Sequence, residues 1–144
     1  MKTDQEKDGI LGIDPGEKRI GLAIAHRRMT LAMGLKAINY RNKRQFIAAL
    51  EKIIVEENVG LIVIGLPLNM NGSEGESAGR SRRLAEVIKK ELEMPVEFID
   101  ERLSTDQALR LLRETGRKIG KEKGAVDIVA ATNILQSYLD TKNP

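Results

Sequence analysis

Leu61-Ile62-Val63-Ile64 is an unbroken apolar run, mostly β-branched, and it constrains the fold more than any other segment. A strand with one wet face alternates polar and apolar residues. A run without alternation needs cover on both faces, which marks a buried parallel strand in an α/β sheet. The neighbouring segments supply that cover. Phe46, Leu50, Ile53 and Ile54 recur at helical spacing and predict a helix over about 42–57, and Leu84, Val87, Ile88 and Leu92 predict another. Pro95 then precedes a strand from Val96 to Asp100.

Upstream, Ile10 to Asp14 is a short apolar run ended by Pro15-Gly16. Strand-like runs at Ile20 to Ala25 and Thr30 to Ile38 follow so closely that an antiparallel meander is expected. Gly65-Leu66-Pro67 opens a loop rich in Asn, Gly and Ser to about residue 79. Ser104 with Gln107 reads as a capping box for a helix through Leu109 and Leu112. A basic stretch, Arg113 to Lys123, leads into a last helix at about 124–140. The alternation of strands and helices predicts right-handed crossovers and parallel pairing of strands one, four and five. Residues 1–8 read as a disordered tail and 9–144 as one domain, since 144 residues fill one core and not two lobes.

Composition removes several chemistries. With no Cys there is no disulfide framework, thiolate zinc site or cysteine nucleophile, and one His, His26, rules out a two-His metal site. The polar start MKTDQEKDG is neither signal peptide nor anchor, so a reduced cytosolic setting without membrane attachment is expected. Four aromatic residues and no Trp argue against a stacking platform for single strands. A net charge of +3 permits an anionic partner without demanding one. Oxygen-ligand chemistry remains.

The acids fit that chemistry. In open α/β sheets the site lies at the carboxyl ends of the parallel strands, where the first strand ends in Asp14 and the fifth in Asp100-Glu101. Asp127 shares a helix face with Ala130, Ala131, Ile134, Leu135 and Tyr138, an apolar stripe on which a bare acid is costly. A cation held jointly with Asp14 and Glu101 supplies the missing partner. Singly, each acid has a simpler reading: a turn former, a surface ion cluster with Arg102, a helix-dipole partner. Their convergence on one sheet edge favours a site. Carboxylates without His or Cys suit Mg²⁺ or Mn²⁺, commonly two ions, and the matching chemistry is phosphodiester hydrolysis.

Phosphate-facing candidates lie nearby. Gly16 lets backbone approach a phosphate, and Lys18 and Arg19 carry charge to neutralise it. The loop from Gly65 to Ser73, with Asn69, offers amides and a hydroxyl to a nucleic-acid backbone. Arg80, Arg82 and Arg83, with Arg110, Arg113, Arg117, Lys118, Lys121 and Lys123, form a candidate basic rim, though a solvated face is the simpler reading for most members. His26 is expected away from the acidic edge and receives no role.

GIDPGEKRIGLAIA, IVIGLPLNMNGSEG, DERLST and KGAVDIVAATNILQSYLD resemble the YqgF (RuvX) family, nucleases of the RNase H-like superfamily related to Holliday-junction resolvases. The resemblance spans about residues 9–140. It implies an RNase H-like mixed sheet of five strands, order 3-2-1-4-5 with strand 2 antiparallel, and helices on both faces. It also implies cytoplasmic maturation of the 5′ end of pre-16S rRNA, with Asp14, Glu101 and Asp127 as the metal-binding catalytic set. Asp100 is then a neighbour or substitute of Glu101. Gly16, Lys18, Arg19, Asn69, Arg80, Arg102 and Ser104 are the candidate nucleic-acid contacts. Classical resolvases carry an acid at the end of strand four, where this chain has Gly65-Leu66-Pro67, so Glu101 must serve instead. Many relatives carry an acid near position 26, where this chain has His26.

Three alternatives stand beside a structured-RNA nuclease acting on a ribosomal precursor particle, as monomer or homodimer. A four-way DNA junction resolvase requires a homodimer for its symmetric substrate. The ATP-binding kinase and chaperone superfamily shares Asp-x-Gly-x-x-x-x-Gly but closes two lobes over the nucleotide. A non-catalytic RNA-binding assembly factor would have lost acids that this chain keeps.

Overall fold

In the computed structural model, residues 7–16, 18–28, 30–101 and 124–142 are described. The expected helix from Ser104 and the basic stretch 113–123 lie outside them, as does most of the 1–8 tail. Five strands, β1 (Gly9–Pro15), β2 (Arg19–His26), β3 (Met33–Asn39), β4 (Val59–Leu66) and β5 (Val96–Asp100), form one sheet in the order β3-β2-β1-β4-β5. β2 runs antiparallel to β1 and β3, and β1, β4 and β5 run parallel. This is the expected mixed α/β sheet with helices on both faces. Among the described residues no helix is long and apolar enough to cross a membrane.

The pleat sorts the side chains into two cores. Leu11 and Ile13 of β1, Leu22 and Ile24 of β2, and Ile62 and Ile64 of β4 face α1 (Lys43–Glu56) and α2 (Glu76–Leu92) through Phe46, Leu50, Ile53, Leu84 and Ile88. Ile10, Ala23, Leu61, Val63 and Ile99 face α3 (Ala125–Lys142) through Ala131, Ile134, Leu135 and Leu139. The apolar run of β4 thus divides between two helical layers, as its lack of alternation requires.

Two boundaries differ from the periodicity. α2 begins at Glu76, inside the expected loop, because its first buried positions are the small Ala78 and Ser81 and leave no large apolar stripe. β3 begins at Met33 instead of Thr30, because Gln136 of α3 takes over that backbone. Its Oε1 accepts from the Ala32 amide at 2.9 Å and its Nε2 donates to the Thr30 carbonyl at 2.8 Å.

The α3 face is lined with glycine where the helix comes closest. A β-carbon on Gly12 would stand 2.7 Å from Leu135 Cβ, and one on Gly34 would stand 2.7 Å from Ile128 Cγ2. One on Gly21 would overlap the backbone carbonyl of Asp127. Only bare backbone at these positions lets the first turns of α3 lie against the sheet.

Candidate active site

Asp14 is the penultimate residue of β1 and follows Ile10 and Gly12 on the α3 face. Its cross-strand partner is Gly21, the residue against which Asp127 of α3 lies. A helix turn is thereby brought directly over the end of the β1–β2 pair. Glycine at 21 is what makes the approach feasible. It went unnoticed as a functional residue in the sequence, although its place opposite an acid in a tight hairpin is the signal.

β5 ends at Asp100, and Glu101 follows directly after it. Val96 and Phe98 pack against the α1–α2 core, whereas Ile99 belongs to the α3 core. By the pleat, Asp100 points with Phe98, on the face away from α3. The Glu101 side chain reaches over the end of β4. Its Oε1 fills the space that a β-carbon on Gly65 would take, with Ile134 Cδ1 2.5 Å from the same point.

Asp14, Glu101 and Asp127 consequently stand on one face at one sheet edge, near enough for the charges of the other two to act on Asp14. Burial pushes the Asp14 carboxyl up to about 7, and the charges of Glu101 and Asp127 push in the same direction. Glu101 is raised by burial and then by Asp100. Among the described residues no three acidic or His side chains are drawn together closely enough to cage an ion. The donor set nevertheless fits a hard cation: it is all carboxylate, partly dehydrated, and short of positive charge at the acid that feels both others.

The phosphate-facing candidates separate. Gly16, in the β1–β2 turn, lies against Asp127, with Oδ1 3.0 Å from where its β-carbon would be. Lys18 is exposed in the same turn, and the stem of Arg19 runs past Gly124 at the start of α3. Arg80 stands on α2 with Arg83, beside a cavity of about 310 Å³. Asn69 shapes its own loop, donating through Nδ2 to Ser73 Oγ at 2.9 Å. The amides of Asn69, Gly72 and Ser73 are likewise bonded within the loop, and the Ser73 hydroxyl donates to Asn71 Oδ1. Arg102 and Ser104 lie outside the described residues, as do Arg110 to Lys123 of the basic rim.

Arg82 is corrected from rim cation to brace. Its guanidinium makes two 2.6 Å bonds to Glu74 and lies 5.1 Å from the centre of the Phe98 ring, tying the loop after β4 to β5. His26 sits at the opposite edge of the sheet, 3.4 Å from Asp8 and 4.0 Å from Glu57, as expected for a residue without a part in the acid cluster.

Known proteins share this fold and much of this sequence. A relative from Anaeromyxobacter sp. (strain Fw109-5), named "Putative pre-16S rRNA nuclease", is 43% identical over 133 residues, covering 92% of this chain and 97% of its own. One of the same name from Caldanaerobacter subterraneus subsp. tengcongensis is 42% identical over 134 residues, covering 92% and 96%. Among solved structures, T. thermophilus RuvC in complex with a Holliday junction substrate aligns with a TM-score of 0.59 at 14% identity, over 94% of this chain and 96% of that one. The Fowlpox virus resolvase, in complex with Holliday junction DNA, aligns with a TM-score of 0.60 at 12% identity, over 94% and 99%. These two establish the RNase H-like fold. The family model for RuvX, described as Holliday junction resolvase, matches residues 8–141, and the chain therefore belongs to the RuvX family.

Proposed function

We propose that this chain is a divalent-metal-dependent endonuclease, one domain over residues 9–144, that hydrolyses phosphodiester bonds in structured RNA. Its role in this reading is 5′-end maturation of pre-16S rRNA in the cytoplasm. The observation that carries the proposal is the convergence of Asp14, Glu101 and Asp127 at one sheet edge, with Asp14 pushed up to about 7. The names of the relatives at 42–43% identity support the RNA substrate.

Asp14, Glu101 and Asp127 would hold Mg²⁺ or Mn²⁺, as a pair of ions. Held there, such ions would orient the phosphodiester, make a water more acidic and stabilise the charge of the leaving oxygen. Glu101 takes the place of an acid at the end of β4, since its carboxylate occupies the space above Gly65. Lys18 and Arg19 neutralise phosphate at the mouth of the site. Asp100, on the other face of the pleat, acts through its charge on Glu101.

The test is cleavage of precursor rRNA, a four-way DNA junction and plain duplex with Mg²⁺, Mn²⁺ or chelator. Asp14→Asn, Glu101→Gln and Asp127→Asn are run beside the wild type. Metal-dependent cutting of the RNA that all three variants lose is the expected result. Symmetric nicking of the junction alone would replace it with the resolvase reading, which the family description favours. Tight RNA binding without cutting would replace it with an assembly factor.

A further inference from the structure

The turn that brings Gly16 against Asp127 also borders a second feature. On the sheet's other face, Gly16 helps to line a cavity of about 310 Å³ that the acids do not enter. Ile20, Leu84 and Val87 form its apolar wall, Tyr40 stands at one side, and Arg80 and Arg83 border it from α2. Tyr40 is held there: its ring is 5.1 Å from that of Phe46, and its amide donates to the Lys18 carbonyl at 3.4 Å. No carboxylate is among the described lining residues.

An apolar slot with one aromatic wall and the Arg83 guanidinium at its border selects a flat, weakly polar ring attached to an anion. A nucleobase with its phosphate has that form, since bases stack on aromatic and guanidinium planes while arginine pairs with phosphate. The volume lies at the small end of ligand clefts, about 300–1,000 Å³. A base still paired in a duplex presents no free ring face to enter it.

We propose that this cavity is a base-binding subsite for an unpaired nucleotide of the substrate strand, adjacent to the linkage held at the acids. The strand's path rests on the nuclease reading; the affinity of the cavity for a nucleotide does not. Because Gly16 touches both places, a strand crossing the turn leaves a phosphate beside Asp127 and drops a neighbouring base between Tyr40 and α2. Arg83 then meets the phosphate on that side. The subsite biases cleavage towards linkages flanked by single-stranded nucleotides and away from uniform duplex.

The experiment is done in chelator, so that cleavage plays no part. Adenosine 5′-monophosphate, a short single-stranded RNA and a blunt RNA duplex are titrated into the full chain by ¹H–¹⁵N NMR and fluorescence anisotropy. The monophosphate is expected to move the signals of Ile20, Tyr40 and Val87. Val87→Trp, which fills the cavity, and Arg83→Ala, an exposed change that leaves the core untouched, should each weaken single-strand binding roughly 5- to 100-fold. Duplex binding should hardly change, and Asp14→Asn should bind the monophosphate like the wild type. Unmoved signals at those three residues, or single-strand binding by both variants equal to wild type, would overturn the subsite. Loss of the nuclease reading has a separate signature: monophosphate binding persists, yet no nucleic acid is cut when metal is supplied.

Discussion

Glu101 and Gly65 share one volume: the carboxylate oxygen of Glu101 occupies the place where any side chain on Gly65 would begin. The end of β4 contributes an absence, and the acid arrives from the next strand to fill it. Gly65→Ala should therefore act as an active-site substitution, although residue 65 carries no functional group. Displacement of a catalytic group by about 1 Å can cost on the order of 100-fold in rate. We expect kcat for RNA cleavage to fall by about that factor, measured beside Gly75→Ala, whose β-carbon has no neighbour closer than 3.5 Å and which should cut normally.

Asp14 makes the metal-free protein less stable as pH rises. Its carboxyl is raised from 3.8 to about 7, so between these values the folded state binds more protons than the unfolded one. Stability therefore falls as pH rises through this window and stays reduced above it. Asp14→Asn removes the penalty, which is on the order of 4 kcal/mol. In chelator, the variant should melt above the wild type at pH 8, and the gap should close towards pH 4. Mg²⁺ should raise the wild-type Tm at pH 8 and leave the variant nearly unmoved. Equal melting curves for the two proteins at pH 8 would contradict the burial of this charge.

Gly21→Ala tests the approach of α3. The new methyl overlaps the carbonyl of Asp127, which is backbone and cannot rotate aside, so sheet and helix must separate. Overpacking typically costs about 1–3 kcal/mol and more where backbone is displaced. Urea unfolding should show a loss at or above the top of that range. Gly79→Ala, at a half-buried position of α2, meets only the end of the flexible Arg83 side chain at 3.2 Å and should be close to neutral or stabilising.

Arg82→Ala should loosen the loop after β4 without touching the acids. The guanidinium braces Glu74 through paired bonds and covers Phe98, so its loss frees one end of the Asn69–Gly75 turn. Amide exchange at Asn69, Gly72 and Ser73 should speed up several-fold, while signals of Asp14 and Asp127 stay in place. Arg82→Lys should fail to restore protection, because an ammonium cannot make the paired contact.

Much of the architecture was legible because its signals are periodic. β5 occupies Val96–Asp100 as its flanking Pro95 predicts, and α1 falls at Lys43–Glu56 within the span of its apolar repeat. The start of α2 was not legible, since small residues such as Ala78 and Ser81 produce no apolar stripe. Nor was the lost beginning of β3, since Gln136, which replaces its sheet bonds, lies more than a hundred residues away. Arg82 reads from sequence like Arg80 and Arg83, and only its neighbours Glu74 and Phe98 make it a brace.

The chain's local order determined that Asp14 and Asp100-Glu101 end parallel strands and that Asp127 opens a helix, because strand period, helix period and turn residues are short-range properties. Which of Asp100 and Glu101 joins the cluster was decided by tertiary structure. The pleat turns Asp100 away from α3, Glu101 just beyond the strand reaches over Gly65 beside Ile134, and the bare backbone of Gly65 and Gly21 leaves room for one carboxylate and one helix turn. The elevated Asp14 carboxyl exists only in that assembled state, since dehydration and two added negative charges arise from segments far apart in the chain.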